Sequence, residues 1–90
     1  MDLGAPSSYM ALAEGTEVFA SDEESLGTVE RVLADPDVDI FDGLVIGSRS
    51  AGSRFVRADD VAEVYERGVV LKLDSAAAAA LPEPEPGAGR

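Results

Sequence analysis

Through the middle of the chain, apolar and polar residues alternate in short runs rich in β-branched side chains. Turn-forming clusters interrupt them about every eight to twelve residues, the pattern of a small all-β barrel or sandwich. Six runs predict six strands: Thr16 to Ala20, Leu26 to Ala34, Ile40 to Ile46, Arg54 to Arg57, Val61 to Tyr65 and Val69 to Leu73. In the second, strict alternation sets Val29, Arg31 and Leu33 on one face and Thr28, Glu30 and Val32 on the other, an imperfect apolar stripe. Helical spacing of Leu26, Val29, Val32 and Leu33 offers a competing reading, but Gly27 and the density of Val and Thr favour a strand. Gly27 inside it predicts a bulge or a close approach of another backbone. The last run places Val69, Leu71 and Leu73 on one face.

The intervening segments are turns: Ser21 to Ser25, Asp35 to Asp39, Ser48 to Ser53, Ala58 to Asp60 and Glu66 to Gly68. Asp42-Gly43 between apolar flanks is also a hairpin signal, so the third strand has two possible readings. Three zones follow: a lead-in over 1–14, a patterned domain over 15–74 and a tail over 75–90. In the lead-in, Ser7 or Ser8 can cap one turn from Tyr9 to Ala13 that Gly15 ends, and an extended path is the alternative. The tail can make a turn over Ala76 to Ala80 behind Ser75 as N-cap. Its run from Pro82 to Gly87 cannot continue a helix or contribute to a core, and the tail over 75–90 is expected to be disordered.

Composition narrows the chemistry. Neither cysteine nor histidine occurs, which removes thiolate nucleophiles, disulfides, histidine-dependent triads and most transition-metal sites. Eighteen acidic against seven basic residues give a formal charge of −11, a sign that repels phosphate backbones and anionic lipids. Nucleic acid is therefore not an expected partner. No apolar run reaches the length of a membrane span, and no basic segment leads into an apolar one at the front, so the expected location is the cytoplasm. A chain of 90 residues buries a limited core, which makes a homodimer or another protein partner a natural route to further burial.

Three pieces in order carry a family resemblance: the first strand and turn leading to Leu26, Gly27, Thr28, Val29; the Phe41, Asp42, Gly43, Leu44, Val45, Ile46 strand; and Phe55 to Val61 running into Gly68 to Leu71. Over Gly15 to Leu73 the chain resembles the PRC-barrel family, shared by the photosynthetic reaction-centre H subunit and the C-terminal domain of the ribosome-maturation factor RimM. Arg57 stands where such members often carry proline. The resemblance implies a six-stranded barrel used as an adaptor, brings no catalytic residue with it and leaves the protein partner unidentified; no metal or cofactor is expected.

Candidate chemistry is sparse beside it. Asp35, Asp37, Asp39 and Asp42 are oxygen ligands in a loop, which makes an acidic cation-binding domain the alternative reading. An EF-hand is excluded, because Ile40 occupies its glycine position and Pro36 stiffens its start. Asp59, Asp60 and Glu63 do not converge along an extended chain, and Asp59 or Asp60 is expected to serve its own turn. Asp42-Gly43 lacks the hydroxyl residue of an aspartic-protease signature. The expected interaction residues are Phe41, Val45, Phe55, Val56 and Tyr65, acting with the edges of strands three to five.

Overall fold

The alternating runs become strands β1 (Glu17–Phe19), β2 (Ser25–Asp35), β3 (Ile40–Ser48), β4 (Gly52–Arg57), β5 (Val61–Tyr65) and β6 (Gly68–Leu71), with one short helix, α1 (Ser75–Ala78). The structure is a computed structural model, and it describes residues 2–48 and 52–84. All six expected strands are present, and β2 is a strand rather than a helix. The strands form one mixed sheet in the order β4-β3-β2-β1-β6-β5, antiparallel throughout except for the β1–β6 pair.

Connectivity forces this sheet to curl. Laid flat, six strands would hold their outermost members about 24 Å apart. Yet β4 passes into β5, at the opposite end of the order, through the single 3-10 turn Ala58–Asp60. Four residue steps reach at most about 14 Å. The two ends therefore bend toward each other, and Val56 of β4 joins Val69 and Leu71 of β6 in one cluster with Val18, Val29, Leu44 and Ile46. No ladder joins β4 to β5 among the described residues, so the curl is barrel-like without a closing pair.

Register shifts explain the imperfect stripe of β2. Between Val29 and Arg31 this strand advances two residues while β3 advances one, from Ile46 to Val45, leaving Glu30 as the extra residue. The expected face shared by Val29, Arg31 and Leu33 is thereby broken: Val29 lies in the core, Val32 packs against it, and Leu33 pairs with Gly43 beyond the break. A second shift falls where Leu33 and Ala34 oppose Gly43 and Phe41, with Asp42 unopposed. The Asp42-Gly43 signal thus marks a bulge inside a continuous β3, not a hairpin. In the last strand, Val69 and Leu71 are core residues as expected, whereas Leu73 lies beyond the end of β6 and is half-buried.

The terminal zones are less separate than expected. Leu12 from the lead-in and Leu81 from the tail both pack against the central cluster, and Ala78 of α1 is buried. The lead-in turn is a 3-10 turn over Tyr9–Ala11. The cap of α1 is Asp74 rather than Ser75, its carboxylate accepting from the Ala77 amide at 2.8 Å. Within the tail expected to be disordered, residues 75–84 carry α1 and the packed Leu81, and residues 85–90 lie outside the described residues.

Candidate functional site

Both outer strands are met by the chain's own ends. On β4, the Phe55 amide donates to the Pro82 carbonyl at 2.8 Å. Along β5, the Ser7 amide donates to Val64 O, Pro6 bridges Tyr65, and the Glu66 and Arg67 amides donate to Ala5 O and Leu3 O. An edge strand is a template for pairing with another chain, and covering it blocks that use. Prolines make a suitable cover, since Pro82 and Pro84 have no N–H with which to extend a ladder. Edge pairing, the expected docking route, is therefore obstructed at Phe55 and along Val64 to Arg67. Truncation after Ala80 removes both the Leu81 anchor and the Pro82 carbonyl. The shortened chain should melt at lower temperature and shift by light scattering from its parent's mass toward dimers or larger species.

The expected interaction residues divide. Val45 and Val56 are 0% exposed, Val56 in the central cluster and Val45 on the other face, opposite Phe55. Neither can touch a partner without unfolding, which removes both from the candidate surface. Phe41, Phe55 and Tyr65 are half-buried. Tyr65 lies apart from the other two, lining a concavity with Asp2, Leu3, Gly4 and Val70. Phe41 and Phe55 line a common concavity with Arg57, Ala58 and Asp59.

Phe41 is the residue around which a surface forms. Its ring stacks on Tyr9 at 4.9 Å between centroids and 3° between planes. The Tyr9 hydroxyl donates to Asp39 Oδ1 at 2.8 Å, tying the 3-10 turn of the lead-in to the β2–β3 corner. That hydrogen bond, with smaller contributions from burial and the Asp39 and Asp35 charges, raises the Tyr9 pKa above the ordinary phenol value. Asp39 itself adopts φ 53°, a left-handed conformation that aspartate tolerates better than most residues. Flanking these two residues in the chain are the three large apolar side chains that, among the described residues, stand out to solvent: Met10 at 64%, Val38 at 60% and Ile40 at 49% exposure. Sequence reading passed over them because Val38 and Ile40 are interleaved with aspartates, and because Tyr9 and Met10 sit in a segment with no strand pattern.

The aspartates of this corner do not assemble into a cation cage. Asp35 Oδ1 accepts from the Asp37 amide at 3.2 Å, and Asp39 is engaged by Tyr9. Among the described residues no three acidic side chains gather where they could hold a metal ion. Asp60 meets Arg57 at 3.7 Å, a pair at the surface worth about 1 kcal/mol or less, while Arg54 Nη1 donates to the Ser53 carbonyl. No helix among the described residues is long and apolar enough to cross a membrane.

Asp22 provides a pH-dependent tie. Its carboxylate accepts from Ser75 Oγ at 2.7 Å and from the Ser75 amide at 3.3 Å, joining the β1–β2 turn to the start of α1. The Ser75 hydroxyl lowers the Asp22 pKa, against a smaller opposing effect of desolvation. A depressed carboxylate stabilises the fold above its unfolded pKa, and the contribution disappears as pH falls through the folded value. Asp22→Asn should therefore be less stable than the parent at neutral pH and approach it in acid. Urea melts of both proteins across the acid range measure this.

Comparison with known proteins finds no family model that matches the chain and no curated protein that matches its sequence.

Proposed function

We propose that the chain is a non-catalytic protein–protein interaction module of the PRC-barrel type, acting in the cytoplasm, and that its partner docks on the corner built around the Tyr9–Phe41 stack. One observation carries the reading. Met10, Val38 and Ile40, exposed by 64, 60 and 49%, lie on two segments that the Tyr9 ring and hydroxyl fasten together. Single apolar residues on a surface are ordinary, whereas several held together in an ordered arrangement favour an interaction site. The six-stranded sheet and the order of the three resembling sequence pieces support the family reading.

The test compares affinity capture from native lysate by the wild-type chain and by a Val38→Asp/Ile40→Asp variant whose fold is verified by circular dichroism. Both positions are exposed, so the variant should remain folded. A stoichiometric partner retained by the wild type and lost by the variant supports the reading. Equal capture by both proteins would remove the corner from consideration.

A further inference from the structure

From the charge and shape around this corner we infer that the segment it receives is cationic and amphipathic, with aliphatic side chains entering the surface and Arg or Lys flanking them. This inference rests on the corner being a docking surface and names the chemistry of what docks there.

Two concavities meet at Phe41 and Ala58. One, of about 260 Å³, runs past Ser8, Tyr9, Val61, Glu63 and Val64. The other, of about 390 Å³, is lined by Asp42, Phe55, Arg57 and Asp59. The two share Phe41 and Ala58 and have aromatic and aliphatic side chains in their linings, and the exposed Met10 and Ile40, outside both linings, are the chain neighbours of the two stacked rings.

The rim is predominantly acidic. Glu63 borders the first hollow, Asp42 and Asp59 border the second, and Asp39 lies at the Tyr9 end. Among the described residues the cation lining either hollow is Arg57, whose charge is met by Asp60 at 3.7 Å. An acidic or phosphorylated segment would bring like charges together there, while a basic one would be attracted locally and steered by the chain's −11 net charge. Apolar contact supplies affinity, and the carboxylates select the sign of the ligand.

Fluorescence anisotropy with the full chain tests this with three labelled peptides: a Leu/Lys amphipathic peptide, its Leu/Glu counterpart of the same pattern, and a Lys/Ser peptide of equal positive charge. The Leu/Lys peptide should bind at least about tenfold more tightly than either control, and added salt should weaken it. Val38→Ser/Ile40→Ser should lower its affinity about tenfold without altering the charge, and Asp42→Asn/Asp59→Asn should lower both the affinity and its salt dependence. Equal binding of the Lys/Ser peptide would reduce the effect to generic attraction by an acidic protein and overturn the inference. Binding of the Leu/Glu peptide as tightly, still sensitive to Val38→Ser/Ile40→Ser, would overturn the cationic preference while leaving the docking corner intact. Loss of peptide binding together with a doubled mass abolished by Val38→Ser/Ile40→Ser would make a second copy of the chain the occupant and overturn it as well. Peptide binding unaffected by any of these substitutions would remove the corner itself.

Discussion

Gly27→Ala is expected to lower the melting temperature by roughly 15–30 °C, enough to leave much of the protein unfolded under ordinary assay conditions. Gly27 sits in β2 with φ 145°, between Val18 of β1 and Ser48 of β3. A Cβ there would overlap the Gly47 carbonyl oxygen and stand 2.8 Å from the Gly47 carbonyl carbon. Backbone atoms on a paired strand cannot swing aside as the end of a side chain can. Relief therefore requires β2 and β3 to separate where β2 also pairs with β1. Overpacking of this kind costs about 1–3 kcal/mol, and the strained backbone adds about 1–3 kcal/mol. A domain of this size is held by only about 5–10 kcal/mol. Gly15→Ala is the control: its φ is 89°, but no atom lies within 4 Å of the added carbon. It should cost about 1–2 kcal/mol from conformation alone. Thermal and urea melts of the two variants separate the backbone collision from the dihedral strain.

Gly27 was legible as a special position because a glycine among β-branched residues is a poor strand former unless something must pass close by. The strands themselves were legible for a similar reason: alternation and turn residues are local signals, and the six runs each carried one. Register was not. Whether Glu30 and Asp42 pair or bulge depends on which residue of the neighbouring strand stands opposite, and that is settled by chain far away in sequence. The same non-locality hid the roles of the termini. Leu12 and Leu81 lie in segments with no strand alternation, Leu12 in the short apolar run Tyr9 to Ala13 and Leu81 between an alanine run and Pro82, yet the curl of the sheet presents one core to both.

The candidate surface was the least legible part, and in an instructive direction. Val45 and Val56 were named as exposed apolar residues of strands three and four, but both are fully buried: Val56 of the outer strand β4 lies in the central cluster, and Val45 of β3 lies on the other face with Phe55 as its cross-strand partner. Val38 and Ile40, by contrast, sit between aspartates that must remain in water, and solvation of those carboxylates holds the corner at the surface with its apolar neighbours. Phe41 was named for the right reason only in part. Its ring is both a packing residue against the core and one half of the Tyr9 stack, so it links the stability of the sheet to the shape of the corner.

That link sets up the second large expected effect, in which stability and docking are pulled apart. Leu44→Ala should cost about 3–4 kcal/mol, because Leu44 is 0% exposed and its side chain lies in the central cluster, with Val32 and Val56 as its cross-strand partners. Part of the loss is transfer of the missing methyl groups to water. The remainder is the cavity left between strands whose backbones are fixed by ladders on both sides and cannot collapse to fill it. At about 4–8 °C per kcal/mol the melting temperature should fall by roughly 12–30 °C. Val38→Ala removes apolar atoms that are already in water, so its melting temperature should stay within about 2–4 °C of the parent. Binding should show the reverse order. Measured well below the lower transition, Leu44→Ala should retain the affinity of the parent for any ligand of the corner, since the folded fraction keeps Met10, Val38 and Ile40 in place. Val38→Ala should lose affinity while remaining folded. If both variants lost stability together and affinity together, the corner would be part of the folding core rather than a surface held apart from it.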